Sequence, residues 1–295
     1  MIDIVDAHHH IWRQADMPWL SGPMQPRIFG PYGPIRRDYL IDEFLEDLSG
    51  TGVVKSVYVQ ANWPKDKFED EVAWVSDVAD ARGWPHGIVG YVDVTVDDVR
   101  PQFDRLTKYP LMRGVRMQLH WHETPAFRFA ADARQVLDSK VRANVARLKD
   151  YDLSFDLQLF PTQMQDGAEL VGENPHTNFI LTHAGMLTGL DPETRKAWKQ
   201  GLRAMAPFQN FFAKLSGLGT FVHRNDPETI AYIMDHAIDI LGSDRLMFGS
   251  NFPVEKLWTS HADLIAAHRM AAAKHSEADQ ANIFWNTAAR VYRPV

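Results

Sequence analysis

The chain has 295 residues, of which 45% are hydrophobic and 23% charged, so it can bury a full core, and disordered and fibrous classes are excluded. Its formal net charge is −7 and it has no cluster of Lys or Arg, so we expect no nucleic-acid partner. It has no cysteine, which excludes disulfides, thiolate nucleophiles and zinc bound by Cys.

The N-terminus and the hydropathy of the chain bear on its location. Residues 1–6 contain no basic segment followed by an apolar one, which predicts no signal peptide. No run approaches the ~18 apolar residues of a membrane-spanning helix, so we expect no membrane partner. We therefore expect a cytoplasmic protein, compatible with a homo-oligomer, whose partner is a small-molecule substrate.

Strand-like and helix-like segments alternate along the chain. Runs rich in β-branched and aromatic residues predict eight strands, at 2–8, 53–60, 87–93, 114–119, 153–159, 178–183, 211–216 and 245–250. Apolar stripes with helical spacing predict helices at 38–49, 69–82, 98–109, 133–149, 161–171, 192–205, 227–241 and 259–273, and a tail helix at 277–292. Asp-Pro pairs at 191–192 and 226–227 are typical of a helix cap followed by Pro at the first helical position.

This alternation predicts an α/β fold with a parallel sheet and helical crossovers. At this length we expect closure into a single (β/α)8 TIM barrel spanning residues 1–295, with an extra C-terminal helix. An open doubly wound sheet is the alternative, although no GxGxxG motif follows a strand. The long segment 12–37 after the first strand contains five prolines, and it is either a binding loop or a stiff surface excursion.

Side chains alternate along a strand, so polarity predicts which of them face the barrel interior. We assign the polar set of four strands to the interior and the apolar set to the surrounding helices. The interior set comprises Asp6, His8 and His10; Ser56, Tyr58 and Gln60; Arg116, Gln118 and His120; and Asp156 and Gln158. A polar interior is either a closed hydrogen-bond network or the floor of a solvated site, and its place at several strand ends favours a site.

Histidines supply the strongest chemical signal. His8 and His10 lie two residues apart at the end of the first strand, so their imidazoles suit two ligands of one metal or two donors to one oxyanion. His183 ends the sixth strand and is a candidate third member. Lys214, in the seventh strand, either donates to a substrate carbonyl or carboxylate or pairs with Asp156.

Aromatic residues follow the predicted strands at the expected mouth of the barrel. They suit a ring-shaped or partly apolar substrate, or they pack loops onto the rim. These residues are Trp12, Trp19, Trp63, Trp121 and Trp258. His120 and His122 flank Trp121, and we expect one of them to face the pocket.

Nine segments in chain order carry a resemblance. They are DAHHHIW (6–12), PWL (18–20), VYVQA (57–61), GVR (114–116), FDLQL (155–159), ILTHAG (180–185), AKLSGL (213–218), RLMFGSNFPV (245–254) and NTAARVY (286–292). With them the chain resembles the amidohydrolase superfamily, in the branch of sugar-lactone hydrolases and 2-pyrone-4,6-dicarboxylate lactonase. The resemblance implies a (β/α)8 barrel with its site at the C-terminal rim. It also implies that His8, His10 and His183 are the family's histidines and that Arg116, Gln60 and Lys214 line the pocket.

Two positions depart from the pattern of metal-dependent members. Gln158 stands where the fifth strand usually carries His, and Asn251 stands where the eighth strand usually ends in Asp. An amide cannot take a proton near neutral pH and is a poor metal ligand. His8, His10 and His183 could still hold a divalent metal such as Zn²⁺ with an open position, and a metal-free site, as in some relatives, is the alternative.

We therefore expect a hydrolase that opens a lactone of a sugar acid or small carboxylic acid. His8 and His10, with Arg116 or a metal, would polarise the carbonyl, His183 would be the base, and Asn251 would orient the water. The expected substrate contacts are Trp12, Gln60, Arg116, His120, Gln158 and Lys214. The alternatives are a metal-dependent decarboxylase of the same superfamily and a non-catalytic binding barrel that lost its base at Asn251. Arg116 and Lys214 permit a carboxylated ligand, and the tryptophans permit an aromatic one.

Overall fold

A computed structural model describes residues 2–295 and contains eight parallel strands that neighbour one another in chain order. The strands are β1 (Ile4–His9), β2 (Val53–Val59), β3 (Gly87–Tyr91), β4 (Met112–Arg116), β5 (Ser154–Leu157), β6 (Phe179–Leu181), β7 (Phe211–Leu215) and β8 (Leu246–Phe248). The sheet closes because Asn251 N–H donates to His8 O and His10 N–H donates to Phe252 O, both at 2.7 Å. The predicted (β/α)8 barrel is confirmed.

Helices cross between the strands and form the outer layer. They are α1 (Pro18–Ser21), α2 (Ile41–Asp47), α3 (Phe68–Arg82), α4 (Arg100–Leu106), α5 (Ser139–Val145), α6 (Met164–Glu173), α7 (Pro192–Met205), α8 (Pro227–Leu241), α9 (His261–Ala272), α10 (Glu277–Ala281) and α11 (Thr287–Tyr292). α7 and α8 have the predicted bounds. The Asp191 carboxylate caps α7 by accepting from the amides of Glu193 and Thr194, whereas the Asp226 carboxylate accepts from the Thr229 hydroxyl.

Three predicted segments differ from the structure. The helix predicted over 133–149 is shortened to α5, with single turns of tighter helix on either side. The tail helix predicted over 277–292 is interrupted by a wider turn at Asn282–Asn286, between α10 and α11. Segment 12–37 lies along the rim, where it contains α1, and Trp12 pairs with Tyr39 through two backbone hydrogen bonds.

The lower half of the barrel interior is apolar. One cluster joins side chains from six strands and the C-terminal helix, which is possible only inside the barrel; it contains Val5, Ala7, Val57, Val59, Val89, Ile180, Phe212, Met247, Ala288, Val291 and Tyr292. Branched apolar residues are the usual filling of such a barrel. The interior is therefore apolar near the strand starts and polar near the strand ends.

In two of the four strands, β2 and β1, side chains that the sequence assigned to the interior face outward instead. Val57 and Val59 face inward, and Tyr58 faces α3, where its hydroxyl donates to Glu71 Oε1 at 2.8 Å. In β1 the pairing with β2 shifts between Asp6 and His9, as at a β-bulge, so alternation fails there.

As a result Asp6 faces outward, where it accepts from the amide and hydroxyl of Ser250 at 2.8 and 2.6 Å. His9 also faces outward and stacks on Phe44, with the ring centroids 4.0 Å apart. His8 and His10 remain inside the barrel mouth. In β4 and β5 the predicted alternation is correct, because Val115, Phe155 and Leu157 pack against the outer helices.

The C-terminal tail closes the end of the barrel where the strands begin. The Tyr292 hydroxyl donates to Asp156 Oδ1 inside the barrel, Lys55 Nζ donates to the carbonyl of Pro294, and the amide of Val295 donates to the carbonyl of His86. Ligands therefore have access only from the opposite end, where the strands stop. Between residues 2 and 295, no helix is both long enough and apolar enough to cross a membrane.

Candidate active site

A pocket opens at the C-terminal ends of the strands. Its floor and walls are formed by side chains from the strand ends, namely His10, Arg116, Gln118, His120, Gln158, His183 and Asn251. Loop residues complete the walls, among them Trp12, Trp19, Arg27, Phe29 and Phe129. No Asp or Glu lines this pocket.

The backbone is strained where three strands turn into the pocket walls. Asn62 after β2, His183 after β6 and Asn251 after β8 have φ values of 65°, 54° and 57°, in the left-handed region that non-glycine residues avoid. Each such conformation costs about 1–3 kcal/mol and persists where the surroundings hold it. All three residues line the pocket. This concentration of strain is a feature of functional sites.

The structure brings the three predicted histidines together. The ring centroids of His8 and His10 are 5.1 Å apart, and those of His8 and His183 are 4.8 Å apart. Two glycines make room for them. A Cβ at Gly249 would lie 2.7 Å from His8 Cβ, and a Cβ at Gly217 would lie 2.5 Å from His183 Nδ1. Small residues at the ends of β7 and β8 therefore determine where the rings lie.

A hydrogen bond defines the proton position of His10, and a second one holds the ring of His183. His10 Nδ1 lies 2.6 Å from the carbonyl oxygen of Val59, which can only accept, so Nδ1 carries the proton. In the neutral ring, His10 Nε2 is then a free acceptor. His183 Nδ1 lies 3.0 Å from the buried hydroxyl of Ser216. His8 has no hydrogen-bond partner on either nitrogen within residues 2–295.

The imidazoles are neutral near pH 7. Burial, then the positive charge of Arg116, lowers the pKa of His10 to about 3 and that of His120 to about 3. The pKa values of His8 and His183 also lie well below the usual range. Burial is the main cause in both, followed by Lys214 for His8 and by Arg116 for His183. These rings act as neutral donors and acceptors.

Arg116 is the cation on the pocket floor. It is 3% exposed, and its Nη2 donates to the carbonyl oxygen of Gln60 at 2.5 Å. Burial lowers its pKa to about 10, and the charge of Asp156 opposes that fall, so the guanidinium stays charged at neutral pH. Its Nε has no hydrogen-bond partner in residues 2–295. Arg116 can therefore offer a charged donor to a substrate oxygen.

Two predicted substrate contacts lie behind the pocket wall. Lys214 is fully buried and pairs with Asp156 Oδ2 at 2.7 Å, which is the ion pair that the sequence left as an alternative. Gln60 is also fully buried, and its side-chain carbonyl accepts from the amide of Asn62 at 2.8 Å. Neither side chain lines the pocket. The structure therefore places Lys214, whose amine binds Asp156, and Gln60, whose Oε1 accepts from Asn62 while its Nε2 has no partner in residues 2–295, outside the lining in which substrate contacts were expected.

The remaining predicted contacts divide between pocket and rim. Trp12, Trp19, His120 and Gln158 line the pocket. Gln158 Nε2 also lies 3.3 Å from Met186 Sδ. The other tryptophans and His122 do not line it. They pack loops, the alternative that the sequence left open; one example is Trp258, whose Nε1 donates to Glu255 Oε2 at 2.8 Å.

Sequence reasoning missed three ionisable groups at the site. Arg27, in segment 12–37, lines the pocket. Glu255, one turn after Asn251, is fully buried, and burial raises its pKa to about 8. Glu71 on α3 is also buried, which raises its pKa to about 7, and it accepts from the amide of Ala61 in the pocket wall. A Glu within a helical pattern gives no sign of being buried, so no local signal identified these two.

The fold and the mouth geometry define a barrel of the amidohydrolase class. The family model described as Amidohydrolase matches residues 5–293, so the chain belongs to this family. The resemblance found in the sequence is thereby confirmed.

Relatives extend over the full chain. A protein named Uncharacterized protein y4mH, from Sinorhizobium fredii, is 33% identical over 99% of this chain and 99% of its own. An L-fucono-1,5-lactonase from Burkholderia multivorans is 28% identical over 98% of this chain and 95% of its own. Crystal structures of a Burkholderia multivorans amidohydrolase with bound HEPES and with bound zinc are 28% and 27% identical. Both cover 99% of this chain and 100% of theirs, with TM-scores of 0.83 and 0.82.

The donor chemistry of this chain does not fit a resident metal. The three imidazoles lie near Arg116, whose positive charge disfavours a further cation, whereas the charge of Lys214 is paired with Asp156. No carboxylate lines the pocket to compensate, and Asn251 supplies only an amide. Within residues 2–295, no group of three or more His, Asp or Glu side chains is arranged to hold a metal ion.

Proposed function

We propose that the protein hydrolyses lactones of sugar acids or small carboxylic acids, with water attacking the ring carbonyl in the barrel mouth. The observation that carries the proposal is the convergence of three neutral imidazoles and one buried guanidinium in a pocket without acidic residues. Its full-length similarity to an L-fucono-1,5-lactonase supports the same reaction. Lactones are activated esters, so a site with weak bases suffices for them.

The hydrogen bonds favour roles that differ from those expected from the sequence. His10 donates through Nδ1 to Val59, so in the neutral ring its Nε2, beside the Asn251 side chain, can only accept and is suited to take a proton from water. The Ser216 hydroxyl accepts from the amide of His183 at 3.3 Å and lies 3.0 Å from His183 Nδ1, which favours donation of its own hydrogen to Nδ1. His183 Nε2 then carries a hydrogen and is suited to donate to an oxyanion. The expected roles of base and donor are thus exchanged between His183 and His10.

In the proposed reaction His10 takes one proton from water and later returns it to the leaving oxygen. Water oxygen bonds to the lactone carbonyl carbon as its proton passes to His10 Nε2. The guanidinium of Arg116 and the Nε2–H of His183 hold the negative charge that develops on the carbonyl oxygen. When the ring C–O bond breaks, the His10 imidazolium returns its proton to the leaving oxygen, giving a hydroxy acid.

Asn251 and His8 complete the arrangement around the water. The Asn251 side chain lies beside His10 and partly offsets the fall in its pKa. It would orient the water through hydrogen bonds, since an amide cannot take its proton. His8 lies beside both His10 and His183, is fully buried and does not line the pocket, so it would act on the substrate through its two neighbours.

A rescue experiment tests these roles. The wild type is screened with sugar lactones, pyrones and muconolactones by pH-indicator hydrolysis, and the best substrate is used for the variants. His10→Ala should lower kcat by about 10²–10⁴, and His10→Gln should restore nothing, because an amide cannot accept the proton. His183→Ala should lower kcat by about 10²–10³, and His183→Gln should restore part of it through its N–H donor.

Each outcome bears on a separate part of the proposal. Activity that is restored by His10→Gln and not by His183→Gln would show that His183, rather than His10, is the general base. A wild type that opens no lactone would refute the function itself. Metal content is measured on the same sample, and activity that rises with bound zinc would contradict the metal-free assignment of roles.

A further inference from the structure

Segment 12–37 contains four arginines, and three of them bind carboxylates or backbone carbonyls. Arg13 pairs with Asp16, Arg37 pairs with Glu43, and Arg36 donates to the carbonyls of Leu20 and Gly22. Arg27 differs. Within residues 2–295 no carboxylate pairs with it, and its buried Nε has no hydrogen-bond partner.

Aromatic rings hold the Arg27 guanidinium at the pocket mouth. Its central carbon lies 5.5 Å from the ring centre of Trp19 and 5.5 Å from that of Phe129. All three residues line the pocket. Phe129 remains 46% exposed, so this stack forms the rim of the opening. Cation–π contacts keep a guanidinium in place while leaving its N–H groups free to bind.

The charged side chains that line the pocket are all positive. Arg27 and Arg116 both line it, whereas Asp and Glu are absent from the lining of a chain whose net charge is −7. Arg116 donates to Gln60 and faces the histidines. Arg27 lies on the loop wall, where its guanidinium has a side-chain hydrogen bond with Tyr32. Within residues 2–295 its Nε has no partner and no carboxylate pairs with it, so the rest of its planar fork of donors is available. Such a fork matches a carboxylate with two parallel hydrogen bonds.

We propose that Arg27 binds a carboxylate that the substrate carries in addition to its lactone ring. This inference rests on the proposed function and narrows it to anionic lactones. The reacting carbonyl lies at Arg116 and His183, and the substrate carboxylate lies at the rim between Trp19 and Phe129. The preferred substrate is then a carboxylated lactone rather than a neutral sugar lactone.

Paired substrates test the proposal. Each lactone ring is supplied as its carboxylate and as the primary amide of that carboxylate, so that only charge and one donor change. Wild-type kcat/KM should favour the carboxylate by about tenfold to a hundredfold, the range for hydrogen bonds to a charged group. Arg27→Gln should remove this preference mainly through KM, and Arg27→Lys should keep part of it.

Arg13→Gln is the matched control, because it removes a cation of the same segment that pairs with Asp16. It should keep the preference. A wild type that opens both forms equally, or an Arg27→Gln protein that loses both equally, overturns the inference. Thermal unfolding of each variant shows whether the fold is retained.

A binding measurement separates this inference from the proposed function. Glutarate is titrated into wild-type and Arg27→Gln protein by calorimetry. If glutarate binding requires Arg27 but the wild type opens no lactone, the anion subsite stands and lactone hydrolysis is refuted. If the wild type opens lactones but glutarate binds equally to both proteins, the function stands and the subsite is refuted.

Discussion

Where the strands begin, the barrel is filled by apolar side chains, and the polar groups between this filling and the pocket are paired with one another. Tyr292 and Lys214 both bind Asp156, and Val291 packs beside them. Where the strands end, polar atoms of His8, Arg116, His120 and Gln158 are buried without hydrogen-bond partners in residues 2–295. Leaving such atoms unpaired costs about 1–3 kcal/mol each. One end of the barrel is therefore built for stability, and the other is completed by water or a ligand.

The largest expected effect is a loss of stability when the buried ion pair of Lys214 and Asp156 is broken. Lys214→Met leaves Asp156 as a buried charge without its cation, so we expect the free energy of unfolding to fall by about 3–5 kcal/mol. Urea denaturation measures the loss. The double variant Lys214→Met with Asp156→Asn should recover part of it, because the neutral amide still accepts from Tyr292. A variant with unchanged stability and a raised KM would instead place Lys214 at the substrate, as the sequence suggested.

The next effect is a loss of activity when the His183 ring is displaced at the barrel mouth. In Gly217→Ala the new Cβ would lie 2.5 Å from His183 Nδ1, so the ring must move. We expect kcat to fall by about 10², the usual result of displacing a catalytic group by about 1 Å. Gly83→Ala is the control, since Gly83 also has a positive φ, 71° against 61°, but has no atom within 4 Å of the added carbon. Equal kcat values in the two variants would mean that His183 is not held by this contact.

A smaller effect concerns pH. The pKa of Glu255 is about 8 in the folded protein, against 4.5 for an ordinary Glu, because the carboxyl is buried. The native state therefore keeps a proton that the unfolded chain releases, and stability is lost as pH rises towards 8. Between pH 6 and pH 8 we expect this group to remove about 2 kcal/mol of the free energy of unfolding.

Urea titrations of wild type and Glu255→Gln at both pH values measure this loss. From pH 6 to pH 8 the free energy of unfolding of Glu255→Gln should rise by about 2 kcal/mol relative to that of the wild type, because the term lost through Glu255 is absent. The exposed Glu46→Gln should match the wild type. A Glu255→Gln protein whose pH dependence equals that of the wild type would show that Glu255 is ionised in the native protein.

The sequence predicted the barrel because strand-forming runs and helical stripes are local signals. Bounds were correct where the signal was strong, as in α7, whose Asp191 and Pro192 mark its start. The inward face was correct in β4 and β5, where polarity alternates, and wrong in β2, where Val57 and Val59 fill the interior. Polarity cannot separate inside from outside when both faces are buried, as Tyr58 illustrates.

The candidate site was only partly predictable. His8, His10 and His183 each follow a strand, so the topology of a barrel places them together. The β-bulge in β1 and the proton positions on His10 depend on contacts with distant chain segments such as Val59. Arg27 lies in a loop, where no periodic pattern indicates which side chains turn inward.

Closure of the barrel joins the two ends of the sequence. The carboxylate of Asp6 binds the amide of Ser250, 244 positions later. At about 5–20 residues per second of synthesis, β1 waits on the order of tens of seconds for this partner. During that time its free edge is available to other chains, which is how exposed strands begin to aggregate. Ribosome-bound fragments that stop before β8 should therefore depend on chaperones far more than the finished polypeptide does.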